Sequence, residues 1–112
     1  MNKKIYFVYR FAKNPNPEET YRKLEKKFGK GYLFGREHPD ASTLTREQIR
    51  KLFTNDMKNG KFDLIIVDVS YGRSRFMEEE VALAKKLNIP VIEVNLLSAE
   101  SKKGEIKLTK RK

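Results

Sequence analysis

The 112-residue chain is predicted to be an α/β protein, a three-layer flavodoxin-like or Rossmann-like sandwich around a four- or five-stranded, mainly parallel sheet. Three observations predict it. Strand-like apolar runs alternate with segments of helical periodicity in the order β-α-β-α-β-α-β. Such alternation implies right-handed crossovers with helices on both faces of the sheet. The run Phe62–Ser70 (FDLIIVDVS) is almost continuously apolar, as expected of a parallel strand covered on both faces. The length suits one domain. Residues 1–97 are therefore read as a single α/β domain, and residues 98–112 as a basic tail, disordered or forming a short edge strand.

The elements follow in order. Residues 3–9, KKIYFVY, are rich in β-branched and aromatic types and read as a buried strand. Asn16-Pro17 starts a helix, with Asn16 as N-cap, Pro17 in the first turn, and Glu18 and Glu19 suiting the helix dipole. Tyr21, Leu24 and Phe28 follow at helical spacing and Gly29 stops the helix. Gly31–Gly35 (GYLFG) reads as a second strand, and Arg36–Thr43, polar and containing Pro39, as a loop. Thr45 and Gln48 fit a capping box for a helix with Ile49, Leu52, Phe53 and Met57 on one stripe, ending at Gly60. After the strand Phe62–Ser70 and a turn at Tyr71–Ser74, a third helix places Met77, Val81, Ala84 and Leu87 inward. It ends near Asn88, and Pro90–Val94 forms the fourth strand, with proline where a missing N–H is tolerated.

The composition narrows the function. Lys and Arg number 25 against 15 Asp and Glu, a formal charge of +10, which calls for an anionic partner. The tail carries +4 of this, six basic residues against Glu100 and Glu105, and makes nucleic acid a candidate partner. Against a nucleic-acid platform, the aromatic residues fall in strands and core stripes, not interleaved with Lys and Arg. With no cysteine and a single histidine, His38, disulfides and thiolate or multi-histidine metal centres are excluded, and no metal or cofactor is expected. No apolar run approaches the roughly 20 residues of a membrane span. The expectation is a soluble cytoplasmic protein without a membrane partner. His38, in a polar loop, receives no role.

Open α/β sheets bind ligands at the carboxyl ends of their strands. Tyr9-Arg10 and the stretch from Asp68 to Ser74 occupy those ends, and neither a dinucleotide glycine fingerprint nor a Walker lysine pattern is present. Of the three glutamates opening the third helix, Glu80 lies three residues after Met77, four before Ala84 and seven before Leu87, and so on the buried stripe. An inward carboxylate at the strand-end rim needs a partner or a job. Ser74, Arg73 and Arg75 together suit a phosphate or sugar oxygen at a helix N-terminus, although Ser74 taken alone reads first as the helix cap. Asp56 opposes the dipole late in its helix, as a functional acid or a solvated one. Asp68 reaches the rim or satisfies neighbouring backbone groups, Tyr6 packs in its strand by default, and Arg10 leaves the same strand where an anion would bind.

The segment from Phe62 to Val94 resembles the core of nucleoside 2-deoxyribosyltransferase-like proteins, which include the 2′-deoxynucleoside 5′-phosphate N-hydrolases. The matching pattern is a strand Asp63–Ser70, a loop serine Ser74, Glu80 six residues later, then Ala84, Leu87 and Pro90–Ile92. The first strand supplies the family tyrosine as Tyr6, and LTREQIRKLFTNDM resembles the helix carrying the catalytic aspartate, here Asp56. Leu97-Ser98-Ala99 resembles a late serine motif that in the hydrolases reaches the neighbouring subunit's site, which implies a homodimer or higher oligomer. In place of the family's glycine-rich turn stands Arg75-Phe76-Met77, and in place of its loop after the first strand stands Tyr9-Arg10-Phe11. The stretch SRFMEEE also resembles small TIR-like domains, whose glutamate acts on the N-glycosidic bond of NAD. Both resemblances imply a carboxylate, Glu80, beside the anomeric carbon of a nucleotide or nucleoside, with Asp56 protonating the leaving base. Tyr6, Tyr9, Arg10, Asp68, Ser70, Arg73, Ser74, Arg75 and Ser98 would bind the substrate. The competing class is a non-enzymatic basic module that binds nucleic acid or a protein partner.

Overall fold

The computed structural model describes residues 3–97. Four strands, β1 (Ile5–Tyr9), β2 (Tyr32–Leu33), β3 (Leu64–Asp68) and β4 (Val91–Val94), form one sheet in the order β2-β1-β3-β4. Every pairing is parallel, so the fold is the expected α/β type with a flavodoxin-like strand order. The helices between the strands are α1 (Pro17–Phe28), α2 (Phe34–Glu37), α3 (Arg46–Gly60) and α4 (Arg75–Lys86). None is long and apolar enough to cross a membrane.

Strand parity builds the three layers. Tyr6 and Val8 of β1, with Ile65 and Val67 of β3, pack with Met57 of α3 and with Met77 and Ala84 of α4. The alternate residues Ile5, Phe7, Tyr9 and Ile66 pack with Tyr21 and Leu24 of α1 on the other face. Side chains at successive positions point to opposite faces, so one buried strand serves both cores.

The helix starts follow the local chemistry. Asn16 caps α1 by accepting from the Glu19 N–H, and Thr45 and Gln48 form the reciprocal box at α3. One boundary differs from expectation. The segment Gly31–Gly35 keeps only Tyr32–Leu33 as strand, because Phe34 turns into the short α2 and packs against His38 and Phe53. The helix α3 ends at Gly60, as expected, and Lys61 caps it in the left-handed region, at φ 53°. The stretch read as loop also contains a turn of 3₁₀ helix at Ala41–Thr43. Residues 98–112, including Ser98 and the basic tail, lie outside the described residues.

Candidate active site

Glu80 enters the core because the α4 stripe that buries Met77 and Ala84 also carries it inward, leaving the residue 8% exposed. Its Oε2 accepts a hydrogen bond of 2.6 Å from the hydroxyl of Tyr6, which β1 holds fully buried. Burial pushes the Glu80 carboxyl up to about 7, the Tyr6 bond acts against that shift, and the charges of Glu79 and Asp56 add to it. The Tyr6 phenol is driven far above its ordinary range by burial, then by the charge of Glu80 and the bond to it. It therefore stays an O–H donor at any working pH.

A second phenol–carboxylate pair lies beside the first. Tyr32 is the register partner of Tyr6 across the β1–β2 pairing, and their rings lie 4.9 Å apart. The Tyr32 hydroxyl donates to Asp56 Oδ2. The same oxygen lies 2.7 Å from Nε2 of His38. With Asp56 ionised and the His38 proton on Nε2, Oδ2 accepts from both donors, and Nδ1 of His38 is the ring's remaining site for proton exchange. Burial, followed by the bond to Asp56 and its charge, raises the Tyr32 phenol well above its usual range. Phe34 supports the imidazole, with ring centroids 4.5 Å apart.

Glu80 and His38 both line a cleft of about 630 Å³. Phe11, Phe34, Phe53 and Phe76 supply much of its wall, and Arg10 and Ser74 stand at its polar side. Such a cavity suits a flat ring held by apolar contact and oriented by a few polar groups. Gly72, at φ +89°, folds the β3–α4 turn close over Arg10, where an added Cβ would meet Nη1 at 3.2 Å. The Arg10 Nε is buried without a hydrogen-bond partner among the described residues. Ser74 Oγ accepts from the Met77 N–H, so it caps α4, and its own proton remains to be donated.

The expected site residues separate into groups. Tyr6, Glu80, Tyr9, Arg10 and Ser74 are gathered at or behind the cleft, with Asp56 reaching it through His38. Tyr9 donates its hydroxyl to the Pro17 carbonyl at 2.9 Å and stacks on Phe11, so it supports the lip of the cleft. Asp68 and Ser70 do not line it. Asp68 Oδ1 accepts from the Ser70 hydroxyl, at 2.6 Å, and from the N–H groups of Ser70 and Leu96, tying the ends of β3 and β4 together. Arg73 pairs with Glu93 of β4, and Arg75 is exposed. Ser98 lies outside the described residues.

Sequence reasoning missed His38 and Tyr32. The signal for Tyr32 is its place in the strand beside β1, where parallel pairing sets it against Tyr6. His38 carries no local signal, since only the folded path of residues 34–45 brings it to Asp56. Among the described residues, no group of three or more acids and histidines is arranged to hold a metal ion. Compared with protein-family models, curated proteins and solved structures, the chain matches none.

Proposed function

We propose that the protein cleaves the N-glycosidic bond of a nucleotide or nucleoside, by hydrolysis or by transfer of the sugar to another base. The observation that carries this reading is the buried Glu80–Tyr6 pair, facing the same aromatic cleft as a histidine held by Asp56. The bond between the anomeric carbon and the base breaks with its electron pair leaving on the base. The imidazolium form of His38, its Nε2–H held by the Asp56 carboxylate, gives its Nδ1 proton to neutralise the base and is left as the neutral imidazole. The Glu80 carboxylate stabilises the oxocarbenium centre or traps it as an ester. Water, or a second base, then attacks that carbon and surrenders a proton to the couple. Tyr6 holds Glu80 in one orientation, the four phenylalanines take the base, and Arg10 with Ser74 takes a 5′-phosphate. A nucleotide substrate fits the positive charge, and a cytoplasmic location is part of the same proposal.

The test is release of free base from a panel of deoxynucleoside monophosphates, deoxynucleosides and NAD, followed by chromatography. Wild type is expected to release base from at least one of them, and Glu80→Gln to lose about 10³-fold or more, as losing a group that touches the reacting carbon does. Release from NAD alone would select the TIR-like chemistry. No release from any substrate, or equal release by the variant, would refute the proposal.

A further inference from the structure

We propose that a second cleft, at the opposite rim of the sheet, binds a small phosphate-bearing anion. It measures about 490 Å³ and lies at the amino ends of the strands. Lys3 and Lys4 lead into β1, Lys30 precedes β2, and Asn55 and Asn59 come from the last turns of α3. The Glu80 cleft opens at the carboxyl ends, so the two are separate sites.

Three cations from two chain segments converge here against one lining carboxylate, Asp56. Asp56 is already engaged by Tyr32 and His38. The carbonyl of Gly60, at the negative end of the α3 dipole, is taken by Lys4 Nζ at 2.8 Å. Neither group is left as a free acceptor, and the three lysine charges outnumber the single lining carboxylate. Lys3 and Lys30 have no acidic partner among the described residues. Asn55 and Asn59 stand four residues apart on α3, which puts their amide donors on one side of the helix.

The frame around these groups is fixed. The Lys4 N–H donates to Asp63 Oδ2 at 2.9 Å, and the Tyr21 hydroxyl donates to the Gly31 carbonyl at 2.9 Å, pinning the turn that carries Lys30. Phe62 lies under Lys4, with Nζ 5.7 Å from the ring centroid. Converging cations, amide donors and an aromatic floor in a cleft of this size fit a phosphorylated small molecule. A nucleic-acid backbone would need the charges ranged along a stripe.

The experiment titrates the full chain with inorganic pyrophosphate and follows the side-chain amide resonances of Asn55 and Asn59, with calorimetry in parallel. Saturable binding that shifts both resonances is expected. The double variant Lys3→Ala/Lys30→Ala, altered only at exposed side chains, should bind about tenfold or more weakly. In Arg10→Ala, altered at the other cleft, the Asn55 and Asn59 resonances should titrate with pyrophosphate as they do in wild type. Absence of saturable binding, or loss in Arg10→Ala with no change in the double variant, would overturn the proposal. So would a single-stranded oligonucleotide that depends on Lys3 and Lys30 when pyrophosphate does not. None of these readouts involves base release, so this proposal and the glycosidase reading stand or fall separately.

Discussion

Replacing Tyr6 by phenylalanine removes one oxygen atom from a packed core and isolates a single hydrogen bond. The lost bond is the 2.6 Å contact from the Tyr6 hydroxyl to Glu80 Oε2. It favours the ionised carboxylate, against the burial that lifts Glu80 to about 7. A hydrogen bond to a charged group contributes about 1.5–3 kcal/mol. Its loss should make Glu80 about tenfold to a hundredfold harder to ionise at a given pH. The ring contacts with Tyr32 and Phe62 remain, so the fold should survive. Glutamate labelled with carbon-13 at its carboxyl reads the titration directly, and the pH profile of base release reads it through activity. In wild type, activity should rise through about pH 7 as Glu80 ionises. In Tyr6→Phe both the resonance and the rising limb should move to higher pH. A midpoint that stays in place, or moves down, would show that the bond does not hold the carboxylate.

Three further outcomes are expected. Because Glu80 binds its proton more tightly folded than unfolded, stability should be greatest below about pH 4.5 as far as this group decides. It should then fall by about 3 kcal/mol in all as pH rises to about 7, and level off above. Denaturant melts across that range should show the slope in wild type and not in Glu80→Gln, and a slope retained by the variant would assign it elsewhere. In Gly31→Ala the new Cβ would meet Phe7 Cε2 at 2.6 Å, so thermal unfolding should show a loss of about 1–3 kcal/mol, with an unchanged melting temperature counting against the packing argument. Lys61→Gly relieves a left-handed backbone at φ 53° after α3 and should raise stability by about 1 kcal/mol, whereas a lower melting temperature would mean that the Lys61 side chain matters more than its backbone.

What the sequence made legible was whatever depends on period and local chemistry. Glu80 was readable as buried because helical spacing ties it to Met77 and Ala84. The caps at Asn16 and Thr45 were readable because capping is decided within four residues. The parallel sheet followed from the apolar character of β3. Pairings between distant segments were not readable. Arg73 looked like an anion binder until the end of β4 brought Glu93 to it. Asp68 was readable as a rim acid or as an acceptor for nearby backbone; the structure shows the second, and the N–H of Leu96, distant in sequence, also makes it a tie between strands. His38 looked idle because its partner stands on α3, across a segment whose path is set by Phe34 packing on Phe53.

The alternation of β1 has a consequence for how this protein tolerates change. Tyr6 points to one side of the sheet and Phe7 to the other. A shift of β1 by one position would present Ile5 or Phe7 to Glu80, neither of which has a hydroxyl, and would turn the whole strand over. Correct threading of the strand and a competent carboxylate are thus one event. An insertion within Ile5–Tyr9 should abolish both together. An insertion at Lys13, exposed in the loop that follows, should cost neither. Divergence in this chain is therefore expected to collect in its loops, while the spacing inside its first strand stays fixed.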